Sequence, residues 1–163
     1  MARLETAVTR FLDEAGVSYV VKPHAREVFT CEDAARERGV RLSQIVKCMI
    51  GCGPDGTDEK NLYVMLVPGD RRLKIKKVRN LAGGIRIDLV PPDRIAERLG
   101  LTVGAISPTQ LAGKARFYMD RTLFSDQFVD ISSGDPGAGV ELSPQDLQAI
   151  LGAEVCDIIS TRN

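Results

Sequence analysis

The sequence predicts an α+β fold in a single domain, built around a mixed, mostly antiparallel sheet. With 163 residues and 44% hydrophobic content, the chain can bury one sizeable core. Strand-like and helix-like segments follow one another without the regular alternation that produces a doubly wound parallel sheet. Because no linker, repeat or low-complexity segment divides the chain, we predict one domain over residues 1–163.

The first two helices are predicted from apolar spacing and from residues typical of helix ends. Apolar residues recur at helical spacing over residues 4–15, and Gly16 supplies a stop. Thr30 precedes two acids of a first helical turn, an arrangement similar to a capping box, and Gly39 ends that helix. Thr30 therefore has a structural role as a helix cap.

The later helices show similar end signals. Asp70 is the expected cap of a helix whose apolar positions fall within residues 73–82. Pro92 and Gly100 bracket the next helix, and Ser143, followed by a proline, opens the last one.

The strands are predicted from short runs of β-branched and other apolar residues between turn signals. These runs lie at residues 17–22, 45–51, 62–67, 85–90, 116–119, 128–131, 140–142 and 155–159. A turn signal over residues 53–56 separates the second and third runs, so residues 45–67 predict an antiparallel hairpin.

Composition excludes several functional classes. The formal net charge is zero, so any contact with nucleic acid must be local rather than driven by a global field. The four cysteines form no CxxC pair and do not cluster with histidine, which argues against a zinc site of the usual kind. No signal-peptide core or membrane-spanning apolar run is found, and free thiols predict a reducing cytoplasm.

Common catalytic motifs are also missing from the sequence. A Ser-His-Asp or Cys-His mechanism would have to use His24, the single histidine, and no G-x-S-x-G motif is present. Neither a Walker A loop nor a G-x-G-x-x-G turn occurs, so nucleotide chemistry lacks its usual phosphate-binding loop. His24 itself is either an exposed loop residue or part of a pocket mouth.

A lysine lies in the middle of the apolar run 45–51. Because burying an ammonium is costly, Lys47 either reaches water along its stem or ends in a cleft with an anionic or polar partner. The adjacent Cys48 suggests a thiolate activated by a cation. Neighbouring strand residues point to opposite faces, however, so we interpret Cys48 as a small core residue.

One short segment concentrates positive charge. It contains six cations and only neutral residues between them, and the cations are Arg71, Arg72, Lys74, Lys76, Lys77 and Arg79. Such a run is either a solvated helix face or a contact for a phosphate backbone.

Two loops could place backbone N–H groups in a pocket. Gly104 and Pro108 frame a Gly-x-x-x-Pro loop, in which glycine allows close approach and proline adds stiffness. Ser132, Ser133 and Gly134 form a turn of small residues. Together with one buried cation, such loops can polarise a carbonyl and stabilise an oxyanion without supplying a strong general base.

Taken in order, these segments resemble the YbaK/EbsC family, the prolyl-tRNA-synthetase-associated editing domains that act as free-standing aminoacyl-tRNA deacylases. The resemblance runs along nearly the whole chain, through residues 30–35, 44–47, 67–70, 73–78, 104–108, 119–123, 132–134 and 140–142. It implies a barrel-like sheet surrounded by helices, and hydrolysis of the ester between a wrong amino acid and tRNA, typically cysteine or alanine on tRNA for proline.

The resemblance also assigns roles to residues. Lys47 would be the catalytic lysine that holds the substrate's carbonyl or terminal nucleotide. The substrate-binding positions would be His24, Thr30, Gly104, Pro108, Ser132, Ser133 and Gly134. The basic segment would contact the tRNA acceptor end, and prolyl-tRNA synthetase is a further implied partner. No cofactor, metal, DNA or membrane is implied.

Departures from the family leave the amino-acid preference open. Cys48 follows the lysine where a hydroxyl or amide residue is frequent, and residues 135–136 replace basic residues of some members. Attack by water, assisted by the ribose hydroxyl, and attack by a cysteinyl substrate's own thiol both stay open. Two other functions stay open as well: a binding module without turnover, and a hydrolase that uses Cys48.

Overall fold

The computed structural model describes residues 4–53, 61–102 and 104–161. Its α-helices are Ala7–Glu14 (α1), Cys31–Arg38 (α2), Ile75–Leu81 (α3), Pro92–Leu99 (α4) and Pro144–Leu151 (α5). Its strands are Val20–Pro23 (β1), Val46–Cys52 (β2), Leu62–Pro68 (β3), Asp88–Leu89 (β4), Ala115–Asp120 (β5), Val129–Ser132 (β6), Ala138–Leu142 (β7) and Glu154–Cys156 (β8). None of the helices in these ranges is long and apolar enough to cross a bilayer.

The strands form two sheets. A three-stranded antiparallel sheet has the order β1-β7-β6, and a five-stranded mixed sheet has the order β4-β2-β3-β5-β8. In the larger sheet β2 runs antiparallel to β3 and β4, whereas β5 runs parallel to β3 and β8. The α+β prediction is confirmed. Within the described ranges, though, the strands form two open sheets rather than a closed barrel, so "barrel-like" describes the architecture only loosely.

The predicted hairpin is confirmed over its paired strands. Its register runs from Val46 opposite Pro68 to Cys52 opposite Leu62. The predicted turn continues into residues 54–60, which lie outside the described residues. Every residue of β3 is buried, because both faces of this central strand are covered.

Most predicted helix ends are confirmed. The Thr30 side chain accepts a hydrogen bond from the Asp33 N–H, and Gly39 adopts the left-handed conformation that ends α2. The prediction that Asp70 caps α3 is wrong, since this helix begins at Ile75. Asp70 lies instead in a turn, in which the Arg71 N–H donates to the Pro68 carbonyl. The Lys74 N–H then donates to the Ile158 carbonyl at 2.8 Å before the helix begins.

The core lies between the two sheets. Residues from β2, β3 and β5 on one side and from β6 and β7 on the other form the main cluster of buried side chains. A second cluster fills the opposite face of the larger sheet beneath α3. A third, small cluster joins α2 to the start of β2 through Ala34, Ala35 and Ile45. This third cluster holds α2 beside the edge of β2, where the cavity described below is found.

Candidate active site

A cavity of about 320 Å³ lies between α2, the edge of β2 and the loop before the residues 108–111 turn of 3-10 helix. It is lined by Val28, Phe29, Thr30, Cys31, Ala34, Arg38, Ile45, Val46, Lys47, Cys48, Met49, Ile50, Val90, Gly104, Ile106, Asp130 and Ser132. Its volume falls within the range of small-molecule sites in proteins.

The cavity follows an edge of β2 that other strands cover only at its two ends. At one end β4 pairs with Gly51 and Cys52, and the Val90 N–H donates to the Ile50 carbonyl at 2.8 Å. At the other end Ile45 forms an isolated bridge with Asp130 of β6. Alternate residues of a strand turn their backbone groups to the same side. Because the Ile50 carbonyl faces this edge, the N–H of Cys48, two residues earlier, faces it as well. Sequence reasoning missed this backbone donor.

Lys47 lines the cavity and is partly buried. Its ammonium donates a hydrogen bond of 2.6 Å to the carbonyl oxygen of Arg71. An ammonium carries three N–H groups. Among the described residues, the bond to the Arg71 carbonyl is the one hydrogen bond of the Lys47 ammonium. Lys47 therefore meets a polar partner, as burial requires. Among the described residues its ammonium keeps donor capacity, in a cavity that Gly104 also lines.

Cys48 also lines the cavity, because the cavity runs along the strand edge and not against a single face. Its side chain packs against the main core cluster. Burial raises the pKa of the Cys48 thiol to about 12. A nucleophilic thiolate is therefore scarce near neutral pH, which gives the cysteine-dependent alternative no support.

Thr30, Gly104 and Ser132 line the same cavity as Lys47. Gly104 has a φ of +83°, and a Cβ atom there would lie 2.4 Å from the ring of Phe29. Phe29 is 62% exposed, so an aromatic ring is held against the loop at the cavity's border. Sequence reasoning did not single out Phe29, although its place just before the Thr30 cap was visible.

Ser133 and Gly134 are directed elsewhere and are not among the described lining residues. The Ser133 hydroxyl is buried and donates to the Ala138 carbonyl at 2.7 Å. The Gly134 N–H donates to the Ser132 hydroxyl, and a Cβ on Gly134 would contact Val8 of α1. These two residues shape the turn between β6 and β7.

Pro108 and His24 are likewise absent from the described lining. Pro108 is buried at the start of its 3-10 helix. The backbone N–H of His24 donates to the Gly137 carbonyl. The ring nitrogen Nδ1 of His24 lies 2.6 Å from the Arg26 carbonyl oxygen. The structure thus places His24 beside the Ser132–Gly137 turn.

The basic segment divides into two groups. Three of its cations bind the protein itself: Arg71 donates to the Ser160 carbonyl, Lys77 to the Ile159 carbonyl and Arg79 to the Ile87 carbonyl. The other three, Arg72, Lys74 and Lys76, are exposed. The first of these exposed cations, Arg72, follows Arg71, whose carbonyl oxygen accepts the hydrogen bond from the Lys47 ammonium.

Two charged residues of the cavity, Arg38 and Asp130, were missed by sequence reasoning. Asp130 is fully buried, and burial raises its pKa from 3.8 to about 6. Burial lowers the pKa of the Arg38 guanidinium. A signal was present for Asp130, which interrupts a predicted apolar strand as Lys47 does. For Arg38 no signal was present, because its neighbours come from distant segments.

Comparison with known proteins gives consistent matches. A family model described as an aminoacyl-tRNA editing domain matches residues 25–150. The chain is 26% identical over 151 residues to the prolyl-tRNA editing protein ProX of Acetoanaerobium sticklandii, a match that covers 90% of each chain. It is 34% identical over 90 residues to the proline–tRNA ligase of Thermosipho melanesiensis, which is 55% of this chain but 15% of the ligase.

Among solved structures, the crystal structure of hypothetical protein APE2540 matches with a TM-score of 0.83 and 29% identity. The match covers 94% of this chain and 99% of that one. The family match includes the cavity-lining residues, from Val28 to Ser132.

Proposed function

The chain belongs to the aminoacyl-tRNA editing domain family, as its sequence predicts, and we propose that it hydrolyses the ester between a wrongly attached amino acid and tRNA. The observation that carries this proposal is the cavity itself. Lys47, the Cys48 backbone and Gly104 meet around a space suited to a small aminoacyl group.

In the proposed reaction the acyl carbon–oxygen bond of the ester breaks. The Lys47 ammonium donates toward the carbonyl oxygen and offsets the negative charge that develops there. The Cys48 N–H at the open edge of β2 and the backbone of Gly104 would supply further donors in the same cavity. Water, oriented with help from the ribose hydroxyl, is the general nucleophile, and a cysteinyl ester can use its own thiol. With water the products are a free amino acid and a tRNA with its terminal hydroxyl restored. Attack by the cysteinyl thiol releases the same tRNA and leaves a cyclic thioester, which water then opens to free cysteine.

The tRNA end would be held by groups around the cavity. The exposed ring of Phe29 offers a stacking surface for the terminal base. Arg72, Lys74 and Lys76 offer exposed cations for acceptor-stem phosphates. Thr30 and Ser132 supply hydroxyls at the cavity wall.

Names of related proteins support a narrower substrate. We propose alanyl or cysteinyl esters of tRNA for proline, because ProX is a prolyl-tRNA editing protein and the cavity suits a small side chain. Prolyl-tRNA synthetase is a proposed partner, since a similar segment forms part of a proline–tRNA ligase. Action on tRNA, together with four free cysteines, supports a cytoplasmic location.

A deacylation assay tests the proposal. Wild type and Lys47→Ala are compared on alanyl-, cysteinyl- and seryl-tRNA, with the exposed Lys114→Ala as the matched control. We expect Lys47→Ala to lower kcat/KM by about 100-fold or more, as losses of single oxyanion donors do, and Lys114→Ala to leave it unchanged. Failure of the wild type to cleave any of these esters, with tight tRNA binding, would favour a binding module instead.

A further inference from the structure

The cavity that Lys47 lines also contains a buried carboxylate that lacks a hydrogen-bond donor among the described residues. Asp130 is 0% exposed, and neither carboxylate oxygen accepts a hydrogen bond within the described residues. Arg38, which lines the same cavity, has a buried Nε that is also without an acceptor there. Buried polar groups in native proteins are nearly always paired, so each such group needs an explanation.

The carboxylate is held by charges at a distance. Lys22 of β1 places its ammonium 3.8 Å from Asp130 and in contact with Glu141 of β7. Arg38 of α2 lies against Gly139 of β7, where a Cβ atom would come within 2.1 Å of the guanidinium nitrogen Nε. The charges of Lys22 and Arg38 favour the ionised form of Asp130, whereas burial and Glu141 oppose it and raise its pKa.

Cys31, Arg38, Lys47 and Asp130 all line the same cavity. The charges of both Lys47 and Arg38 act on the Cys31 thiol, whereas Arg38, Lys22 and Glu141 act on Asp130. Ile45, two residues before Lys47, forms an isolated bridge with Asp130, so the backbones that carry the lysine and the carboxylate meet near the start of β2. An aminoacyl group whose carbonyl is bound at Lys47 would share this cavity with Asp130.

We propose that Asp130 is the acceptor of a polar subsite that binds a hydrogen-bond donor on the aminoacyl group, with Lys22 and Arg38 keeping the carboxylate charged and in place. The inference rests on the proposed function and adds a specificity residue to it. The donor is the α-ammonium, present in every aminoacyl ester, or a side-chain hydroxyl such as that of serine. A buried acceptor strongly disfavours analogues that lack the matching donor.

Binding of non-hydrolysable analogues tests the subsite without turnover. The probes are 3′-deoxyadenosines with a 3′-amide of alanine, propionate or serine, titrated by calorimetry into wild type, Asp130→Ala and the control Asp13→Ala. The alanyl-to-propionyl affinity ratio reports the α-ammonium, and the seryl-to-alanyl ratio reports the hydroxyl. We expect at least one ratio of about tenfold in wild type that falls toward one in Asp130→Ala and persists in the control.

Asp130→Asn keeps the shape and should fold even if Asp130→Ala does not, which circular dichroism shows. In this variant the α-ammonium ratio should also fall, because the negative charge is gone. Ratios near one in wild type, or ratios unchanged in both Asp130 variants, would overturn the subsite. If the wild type cleaves mischarged tRNA while these ratios stay unchanged, only the subsite fails and the proposed function stands.

Discussion

Lys47 and Asp130 both place a charge within strand segments whose other residues are largely hydrocarbon. The partly buried Lys47 ammonium has a polar partner, because it donates a hydrogen bond to the Arg71 carbonyl. The Asp130 oxygens have no hydrogen-bond donor in the described part of the chain. The charges of Lys22 and Arg38 favour the carboxylate but do not outweigh its burial, so its pKa is raised. A group left in this state costs stability, and such costs are found mainly where binding needs them.

Because burial raises the pKa of Asp130, this residue makes the stability of the protein depend on pH. Its pKa of about 6 lies above its ordinary value of 3.8, so the folded state holds the proton more tightly than the unfolded state. The stability associated with Asp130 is therefore fully present below about pH 4 and is lost as pH rises through 6, by roughly 3 kcal/mol. We expect Asp130→Asn to be more stable than wild type at pH 7.5, with little difference near pH 4.

Urea unfolding of the two proteins across this pH range measures the effect. Lys22 and Arg38 oppose the shift and Glu141 adds to it, so substitutions there are avoided. Asp13→Asn, on α1 and outside the described lining of the cavity, serves as the control for the loss of one carboxylate. Wild-type and Asp130→Asn stabilities that run parallel with pH would contradict the assignment.

The local elements of the site could be predicted, but the way they meet could not. Thr30 as the cap of α2 and residues 45–67 as a hairpin follow from patterns within a few residues. The open edge of β2 depends on how little of it β4 covers, and this short pairing leaves no local signature. Arg38 comes near Asp130 only because α2 packs on the smaller sheet, where the guanidinium lies against Gly139, and this arrangement is set by tertiary structure.

The loop at Gly104 provides a prediction with a matched control. Gly104→Ala would strain a backbone with φ of +83° and push a methyl group into the Phe29 ring. Gly113→Ala meets the same kind of strain, with φ of +77°, but has open space around its Cβ position. We expect both to lose about 1–2 kcal/mol of stability, and Gly104→Ala alone to weaken substrate binding as well.

Unfolding by urea and KM for a mischarged tRNA separate the two effects. The Gly113 variant measures the backbone strain, so any additional rise in KM in the Gly104 variant belongs to the displaced Phe29 ring. Equal KM values in the two variants would remove Phe29 from the proposed contact with the terminal base.

Across the whole molecule the charges cancel, but one segment still presents several exposed cations. The net charge is zero, yet Arg72, Lys74 and Lys76 are exposed in one segment while its other cations bind carbonyl oxygens of the protein. The sequence predicted the segment but not this division, because the carbonyl acceptors come from distant parts of the fold. The three exposed cations are the ones available to a phosphate backbone.

This division predicts how tRNA affinity depends on salt. Each phosphate contact contributes a slope of about −0.7 to −0.9 to the plot of log affinity against log salt concentration. Changing Arg72, Lys74 and Lys76 together to Gln should therefore make the slope less negative by about 2 to 3, measured by filter binding with deacylated tRNA. The matched control changes Arg10, Arg94 and Lys114, also exposed, to Gln and removes the same total charge. If both variants change the slope equally, the effect is one of net charge, and the acceptor stem does not contact this segment.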